Sequence, residues 1–305
     1  MIRNIVLGSG SVKGIVYIGC LQFLEEYELL KNVTTIVGTS VGGIFALLIN
    51  LGYTSSQIKT IILSIDFTQL SNINSDSVLN IMENYGIDSG EKLINALSVL
   101  IKKKTNNIQI TFSELFKLTK QKLIITGTCL TTNEIEYFSH ITYPDMPVIK
   151  AIQITTAIPI IYNKVLFNDK YYVDGALIED FPIQLFRESK QQTLGFLIKS
   201  KQESTREIKD IMTYFNRIVN CIQLRLKEYQ TIGFEDQTVI LNLDIDGVSF
   251  SMSDSIKEKI IDFGYSQTKQ YFETKNISLQ KQTIDKCKSD YDLEKEITSI
   301  LHEFL

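Results

Sequence analysis

Short β-branched apolar runs alternate along this chain with longer stretches whose apolar residues recur at helical spacing. Ile2 to Leu7 reads as a buried strand, and the glycine-rich stretch 8–14 after it as a loop. Ile15 to Tyr27 sets Ile18, Leu21 and Leu24 on one face of a helix. Val33 to Val37 is a second β-branched run, followed from Val41 to Ile49 by a buried helix with glycines in its first turn. Strand, helix, strand, helix in that order predicts a largely parallel sheet covered by helices.

Residues 54–120 predict helices near 55–65, 89–104 and 112–119, the last with a capping box from Thr111 and Glu114. Strands are expected again at Lys122 to Cys129 and Glu134 to Phe138, and a short helix around Val148 to Thr155 that stops before Pro159. Val165 to Val173 reads as a hairpin turning at Asn168 and Asp169. Further strands are expected at Thr193 to Ile198 and Thr238 to Leu243, and helices at 205–229, at about 255–273 and after Asp290. With four prolines and no linker-like segment, the expectation is one domain over 1–305, with 54–120 as a helical insertion or cap.

Composition narrows the picture without naming a chemistry. The chain has 305 residues, 44% hydrophobic and 22% charged, as a soluble globular protein does. Its 31 Lys and Arg against 35 Asp and Glu give a net charge of -4, which argues against a nucleic-acid surface. Cys20, Cys129, Cys221 and Cys287 are far apart, with no metal-ligand spacing. Three of them lie in apolar segments, which predicts buried free thiols and a reducing, cytoplasmic setting. No signal peptide or transmembrane stretch is evident; Ile36 to Leu51 is interrupted by glycines and polar residues.

Gly38-Thr39-Ser40-Val41-Gly42 lies where the second strand should turn sharply into a helix. A serine held there would expose its hydroxyl above the helix amides, and Gly38 and Gly42 would let the chain approach itself closely. A simple packing turn would use the same glycines. Serine needs a base, and the chain has only two histidines, His140 and His302. His140 precedes a proline-containing loop, and His302 lies in the apolar-faced tail, so a carboxylate is the better partner. Asp174 ends an aromatic strand beside Gly175 and Ala176, which suits a catalytic acid or base, although a turn would explain it too. Asp180, next along, is read as a helix cap before Pro182. The amides around Gly10 and Ser11, with that of Val41, would suit an oxyanion, and Lys13 adds a positive charge.

Four motifs in this order resemble the patatin-like phospholipases, or lipid acyl hydrolases. They are the loop from Gly8 through Gly10, Ser11 and Lys13 to Gly14, the Gly38–Gly42 elbow, the segment Ala151 to Pro159, and Asp174-Gly175-Ala176. The resemblance spans residues 2 to about 185. It implies a three-layer α/β/α fold with a mainly parallel sheet and a Ser40–Asp174 dyad. It also implies hydrolysis of fatty-acyl esters in phospholipids or other polar lipids, without calcium or another cofactor, and transient peripheral contact with a membrane. Ser9 and Ser11 stand where the family usually has glycine, and threonines replace serines in 151–159. Two other readings stay open, a triad esterase using His302 and a non-catalytic lipid-binding protein.

Overall fold

The computed structural model describes residues 1–71, 81, 83–200, 207–208, 211–245, 249–277 and 279–281. The tail after Asp290, with His302, and Cys287 therefore lie outside the described residues.

The strands and helices run β1 (Asn4–Leu7), α1 (Val16–Glu26), β2 (Thr35–Gly38), α2 (Val41–Asn50), α3 (Ser55–Ser64), β3 (Gly86–Asp88), α4 (Glu91–Thr105), α5 (Phe112–Thr119), β4 (Lys122–Cys129), β5 (Glu134–Phe138) and α6 (Val148–Thr155). After them come β6 (Ile160–Tyr162), β7 (Val165–Phe167), β8 (Lys170–Asp174), β9 (Thr193–Ser200), α7 (Ile211–Gln230), β10 (Thr238–Leu243) and α8 (Asp254–Thr274). β10, β9, β1, β2 and β4 lie side by side and parallel, while β5, β7 and β8 extend the sheet in antiparallel pairing. The fold is thus α/β with a mixed, mostly parallel sheet, as the βαβα opening predicts.

Strand alternation builds two apolar layers, because successive side chains point to opposite faces. Ile5, Leu7, Ile36, Leu194 and Phe196 face the larger core with α1, α2 and α8. Val6, Val37, Ile124 and Leu197 face the other way, against Phe181, Ile183, Phe186 and Phe234. Helices or 3-10 turns therefore cover both faces, completing three layers. Thr111 caps α5 through the expected box, and Thr54 with Gln57 forms a second one at α3. The hairpin turns where expected, with Asn168 and Asp169 both left-handed (φ 48 and 58), as a two-residue turn of this hand requires.

Two sequence expectations need correcting. Within 54–120, Gly86–Asp88 is a strand, which pairs in parallel with β6 and so ties this insertion to the chain just after Pro159. It is too short for periodicity to reveal. Cys221 is exposed, whereas Cys20 and Cys129 are buried free thiols as expected. α7 begins at Ile211, and part of the stretch expected to lead into it lies outside the described residues. Among the described residues no helix is long and apolar enough to cross a membrane.

Candidate active site

β4 brings the two candidate catalytic residues together. Ile125 pairs with Gly38 of β2 and with Phe138 of β5, so those two strands lie on opposite edges of β4. β8 overlaps β5 along β4, at Gly127 to Cys129, and must therefore share the edge used by β2. The C-terminal ends of β2 and β8 consequently meet head-on, at Ile125 and Gly127. Ser40 follows the first end and Asp174 finishes the second.

The elbow is tight enough to dictate its residues. A β-carbon at Gly38 would lie 2.2 Å from the Gly42 carbonyl oxygen, and one at Gly42 would lie 2.2 Å from that of Leu7. Between them Ser40 takes φ 56 and ψ -127, a backbone conformation that costs a non-glycine residue about 1–3 kcal/mol. Surrounding bonds hold it there. Thr39 N–H donates to the Leu7 carbonyl (3.1 Å), Gly42 N–H to Thr39 (2.9 Å) and Gly43 N–H to Ser40 (2.8 Å). The Ser40 N–H itself donates to Thr155 Oγ1 at 2.9 Å, an anchor from α6.

Ser40 Oγ donates directly to Asp174 Oδ2 at 2.6 Å. The other carboxylate oxygen, Oδ1, accepts the Ala176 N–H at 2.8 Å, and Thr128 Oγ1 donates to the Asp174 carbonyl at 2.9 Å. Ser40 and Asp174 are only 5% and 3% exposed. Burial pushes the Asp174 carboxyl from 3.8 up to about 7, the nearby Asp180 charge adds to this, and the Ser40 and Ala176 hydrogen bonds oppose it. A buried carboxylate of that basicity can accept a serine proton near neutral pH far better than a free aspartate. Gly175 abuts β4, where a β-carbon would lie 2.2 Å from Thr126 Oγ1.

The glycine loop lies beside this pair. Gly8 N–H is committed to the Phe196 carbonyl (3.1 Å) and Ser9 N–H to that of Asp180 (3.2 Å), so amides aimed at a substrate must come from Gly10 onward. Ser11 sits at φ 49, a left-handed conformation that glycine would adopt without strain. Gly14 packs against Val41, the first residue of α2, whose amide falls in the helical turn that lacks intrahelical acceptors. Lys13 is half-buried in the 3-10 turn that follows the loop.

The remaining candidates fall elsewhere. His140 stacks on Phe116 of α5 with ring centroids 3.7 Å apart, and burial and nearby Lys122 hold its pKa below the usual value. His302 is outside the described residues. Asp180 does not cap the segment after Pro182, which has no side-chain cap. It is fully buried, accepts a hydrogen bond from Ser9 Oγ and faces Lys227 Nζ at 3.4 Å. Its tie to Ser9, like that of Thr155 to Ser40, joins residues more than a hundred positions apart and leaves no local signature. Among the described residues, no group of His, Cys, Asp or Glu is arranged to hold a metal ion.

Comparison with known proteins gives a family and a fold. A family model described as patatin-like phospholipase matches residues 5–187. An uncharacterized protein of Acanthamoeba polyphaga mimivirus is 27% identical over 281 residues, covering 88% of this chain and 93% of its own. A probable lipid hydrolase of Invertebrate iridescent virus 6 is 25% identical over 269 residues, covering 88% of this chain and 87% of its own. Among solved structures, VipD from Legionella pneumophila superposes with a TM-score of 0.64 at 15% identity, over 98% of this chain and 75% of VipD. ExoU, in its complex with SpcU from Pseudomonas aeruginosa, gives 0.52 at 18% identity, over 99% of this chain but 58% of that one. At such identities the two structures share the fold.

Proposed function

The chain belongs to the patatin-like phospholipase family, and from that premise we propose that it hydrolyses fatty-acyl esters of phospholipids or related polar lipids. Ser40 is the nucleophile and Asp174 the general base. The observation that carries this reading is the 2.6 Å Ser40–Asp174 hydrogen bond on a strained strand-to-helix turn. The description of the iridescent-virus relative as a probable lipid hydrolase supports the substrate class.

In the first half-reaction Ser40 Oγ bonds to the ester carbonyl carbon as its proton passes to Asp174 Oδ2. The negative charge that develops on the carbonyl oxygen is met by the Gly10, Ser11 and Val41 amides. Collapse breaks the ester C–O bond, and Asp174 returns the proton to the departing lipid alcohol. A water molecule, deprotonated by Asp174, then attacks the acyl-Ser40 ester, releasing the fatty acid and restoring the Ser40 hydroxyl.

The lipid aggregate is met by α7, since the apolar rows of the insertion at 54–120 are buried in the main core. α7 turns Gln223, Lys227 and Gln230 inward, where Gln223 Nε2 reaches the Ala176 carbonyl (3.5 Å) beside Asp174. Its outer side carries Tyr214, Ile218 and Ile222, which are 50%, 42% and 46% exposed. An apolar stripe turned outward beside a lipid site suits contact with a bilayer surface.

The test is acyl release from a panel of vesicles and dispersed lipids, comparing the parent with Ser40→Ala. Release by the parent, reduced on the order of a million-fold in the variant, supports the reading. Equal release by both would refute it.

A further inference from the structure

Asp180 is fully buried, yet no step of the reaction above uses it. Its carboxylate joins two parts of the molecule. Ser9 Oγ donates to Oδ1, and Lys227 Nζ from α7 faces Oδ2 at 3.4 Å. Lys227 also donates to the Ile198 carbonyl of β9 at 3.2 Å, and Gly10 packs on the Ile198 side chain. Tyr17 Oη, from α1, donates to the Gly8 carbonyl at 2.7 Å, and the Ser9 N–H to the Asp180 carbonyl. The start of the loop is thus tied to β9, α1, α7 and the chain after β8.

Two considerations give this arrangement a purpose. Replacing a buried ion pair with apolar residues is often neutral or stabilising, so stability alone does not account for one here. The loop also holds Ser11 at φ 49, and a non-glycine residue stays in such a conformation only where its surroundings fix it.

We propose that Ser9, Asp180 and Lys227 are positioning residues that lock the glycine loop, keeping the Gly10 and Ser11 amides aimed at the carbonyl under attack by Ser40. This rests on the serine-hydrolase reading above. Ser9 is central, because its hydroxyl supplies a tie to Asp180 that a glycine cannot make. The groups facing Asp180 are Lys227, Tyr17 and Asp174. Its charge raises the pKa of the last two, while Lys227 and Ser9 favour its own ionised form against burial.

The experiment compares the parent with Ser9→Ala, Ser9→Thr and the paired Asp180→Asn/Lys227→Met variant, which leaves no unpaired buried charge. Turnover is read on a soluble short-chain ester, and hydrogen exchange over residues 8–14 by peptide mass spectrometry. Ser9→Ala should lose about 10- to 100-fold in kcat, with KM within about two-fold of the parent and faster loop exchange. Ser9→Thr, which keeps the hydroxyl, should recover most of the loss. The paired variant should lose kcat similarly and move the acid limb of kcat/KM to lower pH, since the Asp180 charge no longer opposes ionisation of Asp174. Parent-like kcat in Ser9→Ala, even with a lowered melting temperature, would overturn the proposal. If the parent itself releases no acyl product, the hydrolase reading fails and exchange decides the clamp. Faster exchange in Ser9→Ala then supports it, and unchanged exchange overturns it.

Discussion

As the proposed base, Asp174 would set the pH dependence of both activity and stability. A base with a pKa of about 7 must lose its proton to work, so kcat/KM should rise through neutral pH on a one-proton limb and level above it. An acid limb near pH 4 would place the base elsewhere. Stability runs the opposite way. The folded state holds the Asp174 proton up to about pH 7, and the unfolded chain releases it near 3.8, so this group's contribution is complete below pH 4 and is lost as pH rises through 7. The gap corresponds to roughly 4 kcal/mol at most. Asp174→Asn should therefore lose nearly all turnover yet melt higher than the parent at pH 8, the difference shrinking towards pH 4; denaturant melts at both pH values check this. His140→Gln, which changes only the stack on Phe116, should keep turnover within a few-fold. Ser40 and Asp174 were legible in the sequence because each sits on a strand end beside obligatory small residues. The partners of Asp180 were not, because Ser9 and Lys227 reach it only through the fold.

At the scale of elements, the elbow and α7 make separable predictions. Gly42→Ala puts a methyl group 2.2 Å from the Leu7 carbonyl oxygen, so β1 and α2 must part. Overpacking of this kind costs about 1–3 kcal/mol, and displacement of Ser40 should lower turnover on every substrate. Turnover and melting temperature together check it, and parent values in both would show that the turn can relax. Ile218→Glu with Ile222→Glu should instead depress turnover on vesicles at least ~10-fold and spare a soluble ester, since both side chains already face solvent. Equal losses on the two substrates would remove α7 from lipid contact. The insertion at 54–120 shows where periodicity stops being informative. Its rows Ile58, Ile61, Ile65 and Leu97, Leu100, Ile101 are buried in the main core. An amphipathic pattern records that a face is covered, not by what. α7 was readable as a long helix, but not as one that leaves Tyr214, Ile218 and Ile222 exposed.

Across the whole molecule, the site depends on two strands that approach β4 from opposite ends. The parallel half of the sheet was legible because βαβα order and short β-branched runs leave few alternatives. The meeting of β2 and β8 on one edge of β4 was not, since register is settled by packing between distant segments. That meeting is what places a carboxylate against the serine, and it carries the central claim that Ser40 forms the acyl-enzyme. The most direct measurement is peptide mass spectrometry of the protein after treatment with a fluorophosphonate, which traps an activated serine as a covalent adduct. The account predicts one adduct per chain, on Ser40, and greatly slowed labelling in Asp174→Asn. An adduct on another residue, or none on a folded protein that still releases fatty acid, would contradict it.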